Sequence, residues 1–274
     1  MTQTSHHSIP SPPFYGSKVV TDISLNQVYN YVNPVVLFRV RWKYRRQAGM
    51  TQHEYDQFIE REIRPVYEHY KELCSENAWL QPLVVYGYFR AQSDGNDLII
   101  YGDADQTEWV RFTFPRQTHT KETRCITDYF AKIDSDQMDL VAFQVVTVGA
   151  GITEAVNNFL AEGDNESSLH LSGLAVETTQ ALVEYTHRRF RLELDIAHED
   201  SPYILDLFHG SYQGTRFGFG DPACPNPEDL AKLWELLEPE RIGIELSKGF
   251  EPIPEHSATA ILLHHPDARP FNIR

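Results

Sequence analysis

The chain has 274 residues, 41% hydrophobic and 12% aromatic, enough to bury a sizeable core. Its 24 lysines and arginines against 39 aspartates and glutamates leave a net charge of −15, which argues against nucleic-acid binding and against adsorption to an anionic membrane. No apolar run approaches a membrane helix, and Cys74, Cys125 and Cys224 lie too far apart for a disulfide framework or a thiolate zinc pair, so a reducing, cytoplasmic setting is expected.

Residues 1–13 are polar and carry Pro10, Pro12 and Pro13, so they read as a disordered leader, with one domain expected over 14–274. Arg39, Arg41, Lys43, Arg45 and Arg46 crowd around Trp42 and Tyr44. That segment is either a solvated face with its aromatics turned inward or a docking patch for an acidic partner. Thr51 and Glu54 form a capping box opening a long amphipathic helix, whose apolar face carries Tyr55, Phe58, Ile59, Ile63, Val66, Tyr70 and Leu73. Pro65 should kink or divide it.

Strands are predicted over 83–89, 97–101 and 109–114, with Ser93-Asp94-Gly95-Asn96 as an antiparallel turn between the first two. The nearly unbroken apolar run 140–148 predicts a central strand. A second long helix is expected over 171–194, and a short one capped by Asn226 with Pro227 in its first position. A last strand, 259–263, ends in the turn His265-Pro266-Asp267. Strands joined by short turns, with helices grouped at both ends, indicate an α+β fold with a mainly antiparallel sheet.

Chemistry-bearing motifs are few. Gly149-Ala150-Gly151 lacks the third glycine of a dinucleotide loop, with Glu154 in its place, and reads as a strand-to-helix turn. His264 and His265 are adjacent on a strand and so point to opposite faces, which excludes a shared metal. No nucleophile elbow and no Cys–His pair is evident, so no catalytic residue and no metal ligand is expected. The richest stretch is Arg216-Phe-Gly-Phe-Gly-Asp-Pro-Ala-Cys-Pro225, where glycines permit close backbone approach and Arg216 offers a planar fork for a carboxylate.

That stretch resembles the family motif Arg-x-x-x-Gly-Tyr-Pro-Ala-Cys-Pro of the reactivation domain of cobalamin-dependent methionine synthase. Colinear matches extend the resemblance from about residue 13 to the end: Val85-Tyr-Gly-Tyr-Phe89, Asp128-Tyr-Phe130, the helix 181–187, Trp234-Glu-Leu-Leu237, 242–250 and His265-Pro-Asp267. The resemblance implies a helmet-shaped domain around a bent sheet. It also implies S-adenosylmethionine as bound cofactor, cobalamin carried by a partner methionine synthase module, and a flavodoxin-type electron donor. Its role would be reductive remethylation of cob(II)alamin, performed by a stand-alone subunit that does not turn over by itself.

Carried over residue by residue, the expected ligand stretch is Arg216, Phe217, Gly218, Gly220 and Asp221. Arg216 would clamp the ligand's carboxylate, and the glycines would admit backbone hydrogen bonds along the sheet edge. Asn33 stands at a family aspartate that receives the ammonium group, and Gln180 at a glutamate facing the cofactor. Leu262 and Leu263 replace an aromatic pair that holds the ligand. Asp221 replaces the motif tyrosine; a carboxylate there either draws a cationic ligand centre or marks a site that no longer serves this ligand. The alternative function is a regulatory module of the same fold that docks on a corrinoid or flavodoxin-like protein without S-adenosylmethionine. A Rossmann-type methyltransferase is disfavoured by Glu154 and the antiparallel pattern.

Overall fold

The computed structural model describes residues 8–102, 107–118 and 123–273. The N-terminal part comprises β1 (Gly16–Val20), α1 (Leu25–Tyr29), α2 (Pro34–Val36), α3 (Gln52–Phe58) and α4 (Arg64–Glu76). Next come β2 (Leu83–Asp94), β3 (Asp97–Tyr101), β4 (Glu108–Thr113), β5 (Asp139–Thr147), α5 (Gly151–Ala161) and α6 (Asn165–Glu193). The last part holds α7 (Ile204–Leu207), β6 (Thr215–Gly218), α8 (Asp229–Leu237), β7 (Glu245–Leu246), β8 (Pro252–Ile253) and β9 (Ser257–Leu263). The α+β expectation holds.

Every pairing between named strands is antiparallel, in the order β4-β3-β2-β5-β9-β6, with β1 added on β2. β2 runs beyond the predicted 83–89 because two partners share one of its edges. β1 covers Val84 to Tyr88, and β3 takes over from Arg90 to Asp94. The turn between β2 and β3 is Gly95-Asn96, with Gly95 at φ +62°, a conformation glycine adopts without steric cost.

Strand side chains alternate between faces, so a strand apolar at every position must be covered on both. β5 is buried along its whole length and divides two cores. Leu140, Ala142 and Val146 join Tyr86, Tyr88 and the apolar face of α6 on one side. Val141, Phe143 and Val145 join Phe89, Phe112, Leu233 and Trp234 of α8 on the other.

The capping box is present: Glu54 accepts from the Thr51 N–H at 2.7 Å, and Thr51 Oγ1 accepts from the Glu54 N–H at 3.2 Å. Pro65 divides the helix without stopping it. α3 and α4 are joined by a wider π turn over Ile59–Ile63, which absorbs the proline's missing N–H and the bulk of its ring. α6 begins earlier than the predicted 171, because Asp164 caps it by accepting from the Ser167 N–H at 3.0 Å. Asn226 does open the helical region of α8, but its first bonds have three-residue spacing and the regular helix starts at Asp229. Of the expected leader, residues 1–7 (with His6 and His7) lie outside the described residues, while Ile9 is packed against the first core, ahead of the expected start.

The basic segment splits by residue. Trp42 is buried and its indole N–H donates to the His170 carbonyl at 2.9 Å. Arg41 pairs with Glu177 at 2.8 Å, and Arg39 lies over the Tyr55 ring at 4.8 Å. Lys43, Arg45 and Arg46 are exposed. Gly149, at φ +84°, turns the chain from β5 into α5 between antiparallel neighbours, so no βαβ unit forms there.

Candidate ligand site at the β6 margin

Among the described residues β6 is the outermost strand of its sheet on that side and pairs only with β9. In an antiparallel ladder, alternate residues aim their backbone groups away from the partner. The Gly218 N–H is one of these, because it donates to Asp221 Oδ2 at 2.7 Å. The same phase places the backbone of Arg216 on the open margin. Its side chain lies on the α6 face, opposite Leu262 in register.

There α6 presents Glu184, His187 and Arg191, spaced to share one face. Arg216 Nη1 donates to Glu184 Oε2 at 2.5 Å and lies 3.2 Å from His187 Nδ1 and 3.4 Å from the Tyr212 hydroxyl. Among the described residues no hydrogen bond uses its Nη2 or Nε, so the guanidinium is held through Nη1. Arg191 is fully buried and forks onto Asp200 through Nε at 3.0 Å and Nη2 at 2.9 Å. It also stacks over the Tyr212 ring at 4.0 Å and lies 3.6 Å from Glu184. Burial, and the positive charges of Arg191 and Arg216, hold the His187 imidazole neutral by pushing its pKa well below the usual value. A neutral ring with Nδ1 accepting from Arg216 carries its proton on Nε2.

Two hollows meet at Arg216. The larger, about 630 Å³, is lined by Gln180, Arg216, Gly218, Phe219, Asp221 and Thr259 among others. The smaller, about 200 Å³, takes in Asn33, Glu177, Gln180, Glu184, Tyr212 and Arg216. Phe208, from the segment that carries α7, borders both. Away from the hollows, burial pushes the Cys74 thiol up to about 12 and raises that of Cys224 as well. Among the described residues no group of three or more His, Cys, Asp or Glu is placed to hold a metal.

The profile of the vitamin B12 dependent methionine synthase activation domain matches residues 24–274. The chain belongs to this family. It is 37% identical to a methionine synthase of Mycobacterium tuberculosis (strain H37Rv) and 34% identical to one of Mycobacterium leprae, in each case over 97% of the chain. It spans only 23% of the length of those relatives. Among solved structures it is similar to the MetH reactivation domain bound to AdoHcy, with a TM-score of 0.84 at 26% identity. That match covers 97% of this chain and 84% of the other.

Within this activation domain the structure brings Asn33, Gln180 and Arg216 to one hollow, and Gln180, Arg216, Gly218 and Asp221 to the other. Asn33 has a second duty: its Oδ1 accepts from the N–H groups of Val35 at 3.1 Å and Val36 at 3.2 Å, capping α2. Both lone pairs of that oxygen are engaged, which leaves little for a ligand ammonium. Gly220, at φ +102°, shapes the turn, and its N–H donates to the Cys224 carbonyl at 2.8 Å. Phe217, Leu262 and Leu263 lie inside the two cores and border neither hollow. Alternation sends Leu262 and Leu263 to opposite faces of the sheet, each buried in a different core.

Sequence reasoning missed Glu184, His187, Arg191, Asp200 and Tyr212. The available signal was the helical spacing of three polar residues in a segment otherwise patterned for burial.

Proposed function

We propose that this activation domain binds S-adenosylmethionine in the hollows along β6, in service of the reductive remethylation of cobalamin carried by another methionine synthase module. The observation that carries this reading is the divided guanidinium of Arg216. Glu184, His187 and Tyr212 hold its Nη1 side, no hydrogen bond among the described residues uses Nε or Nη2, and the residue borders both hollows. A ligand carboxylate fits those two nitrogens as a charge-assisted pair. S-adenosylmethionine would supply the methyl group, while the protein's part is to orient it and to keep one end of it against the open sheet margin. The related structure bound to AdoHcy supports the ligand class.

Partners follow from the same reading: a cobalamin-binding module and a flavodoxin-type electron donor, in a cytoplasmic setting. Without them the domain does not turn over. The exposed Lys43, Arg45 and Arg46 offer a surface for an acidic partner.

Titration calorimetry tests the proposal. S-adenosylmethionine should bind saturably, and Arg216→Ala should weaken binding by roughly ten- to a hundredfold, the usual worth of a charge-assisted bond. A wild-type protein silent at millimolar ligand would refute it. The engaged oxygen of Asn33 and the grip of Glu184 on Arg216 favour a second reading, a module of the same fold that docks on corrinoid or flavodoxin-like proteins without this ligand. Silence in calorimetry together with binding to such a protein would establish it.

A further inference from the structure

We infer that Asp221 makes the larger hollow selective for charge: it favours the sulfonium of S-adenosylmethionine over the neutral thioether left after the methyl group has gone. This rests on the ligand proposed above.

The inference comes from the balance of charge around the hollow. Among the residues that border it, Arg216 is the one lysine or arginine and Asp221 the one carboxylate. The charge of Arg216 is already matched by Glu184 at 2.5 Å, from the buried side. Asp221 has no such counter-charge among the described residues, so the unmatched charge facing the hollow is negative. A cation entering there is attracted, and a neutral sulfur gains nothing.

The position of the carboxylate is set by the turn. Oδ2 accepts from the Gly218 N–H at 2.7 Å, and the Asp221 N–H donates to the Gly218 carbonyl at 3.0 Å. The Cys224 N–H then donates to the Asp221 carbonyl at 2.8 Å. Oδ1 has no hydrogen-bond partner among the described residues. Arg216 and Gly218 are separated by two residues of extended strand, about 7 Å. Arg216 and Asp221 both border the larger hollow, so one ligand can face both charges.

The test is the ratio of the dissociation constants for S-adenosylhomocysteine and S-adenosylmethionine, measured by calorimetry. In Asp221→Asn the amide oxygen still accepts from Gly218, so the turn is kept while the charge is lost. The ratio should fall by about two- to fivefold, the range for a partly exposed charge pair, through weaker binding of the sulfonium compound alone. Asp221→Glu, which keeps the charge, should retain most of the preference. Raising the salt should erode the ratio more in the wild type than in Asp221→Asn. If both ligands bind and the ratio is the same in wild type and Asp221→Asn, the inference is overturned while the ligand site stands. If neither ligand binds the wild type, the site reading fails and takes this inference with it.

Discussion

Replacing Arg191 with methionine probes the charged cluster behind Arg216. The substitution keeps an unbranched chain but removes the fork onto Asp200, the 3.6 Å neighbour of Glu184 and the stack on Tyr212. The Asp200 and Glu184 side chains are only 6% and 4% exposed, so water does little to compensate them. Truncating one member of a buried pair costs about 3–5 kcal/mol. Glu184 keeps Arg216, which puts the expected loss near 3 kcal/mol, or about 6–12 °C in Tm for a chain of this size. The cluster also ties down both ends of the segment bordering the hollows, because Asp200 and Tyr212 both contact Arg191. Urea unfolding should therefore show the loss, and hydrogen exchange should show faster opening across 200–212. A double variant with Asp200→Asn should recover part of the loss, since it removes the stranded carboxylate. A loss below about 1 kcal/mol, with unchanged exchange in that segment, would mean the cluster is not the anchor described here.

Two further outcomes follow from other parts of the structure. The depressed pKa of His187 means the unfolded chain binds more protons below about pH 6.5, so stability should fall as pH drops from there through the folded pKa. His187→Gln should flatten that fall below about pH 6.5 in equilibrium unfolding; the lowered His170 and His256 supply a residual slope. Identical slopes in variant and wild type would contradict a buried neutral His187. Gly173 lets α6 approach Trp42: a Cβ there would sit 2.7 Å from Trp42 Cδ1 and 2.9 Å from Arg41 Cβ. Gly173→Ala should cost about 1–3 kcal/mol in denaturant titration followed by tryptophan fluorescence, and a neutral result would show that this contact yields easily.

What the sequence determined alone was set by interactions over a few residues. The Thr51–Glu54 box, the Gly95-Asn96 turn and the unbroken apolar run of β5 each carry their cause within one element. The capping of α2 by Asn33, ahead of Pro34, is equally local, but it was found in the structure and not in the sequence. The motif around Arg216 begins on the outer strand β6. Tertiary structure decided which edge of that guanidinium is occupied, because Glu184 lies 32 residues away on another element. It also decided that Leu262 and Leu263 are core residues and that Arg191 is buried with Asp200. A side chain's burial and its charge partner depend on which faces of distant elements meet, and no spacing within one segment encodes that.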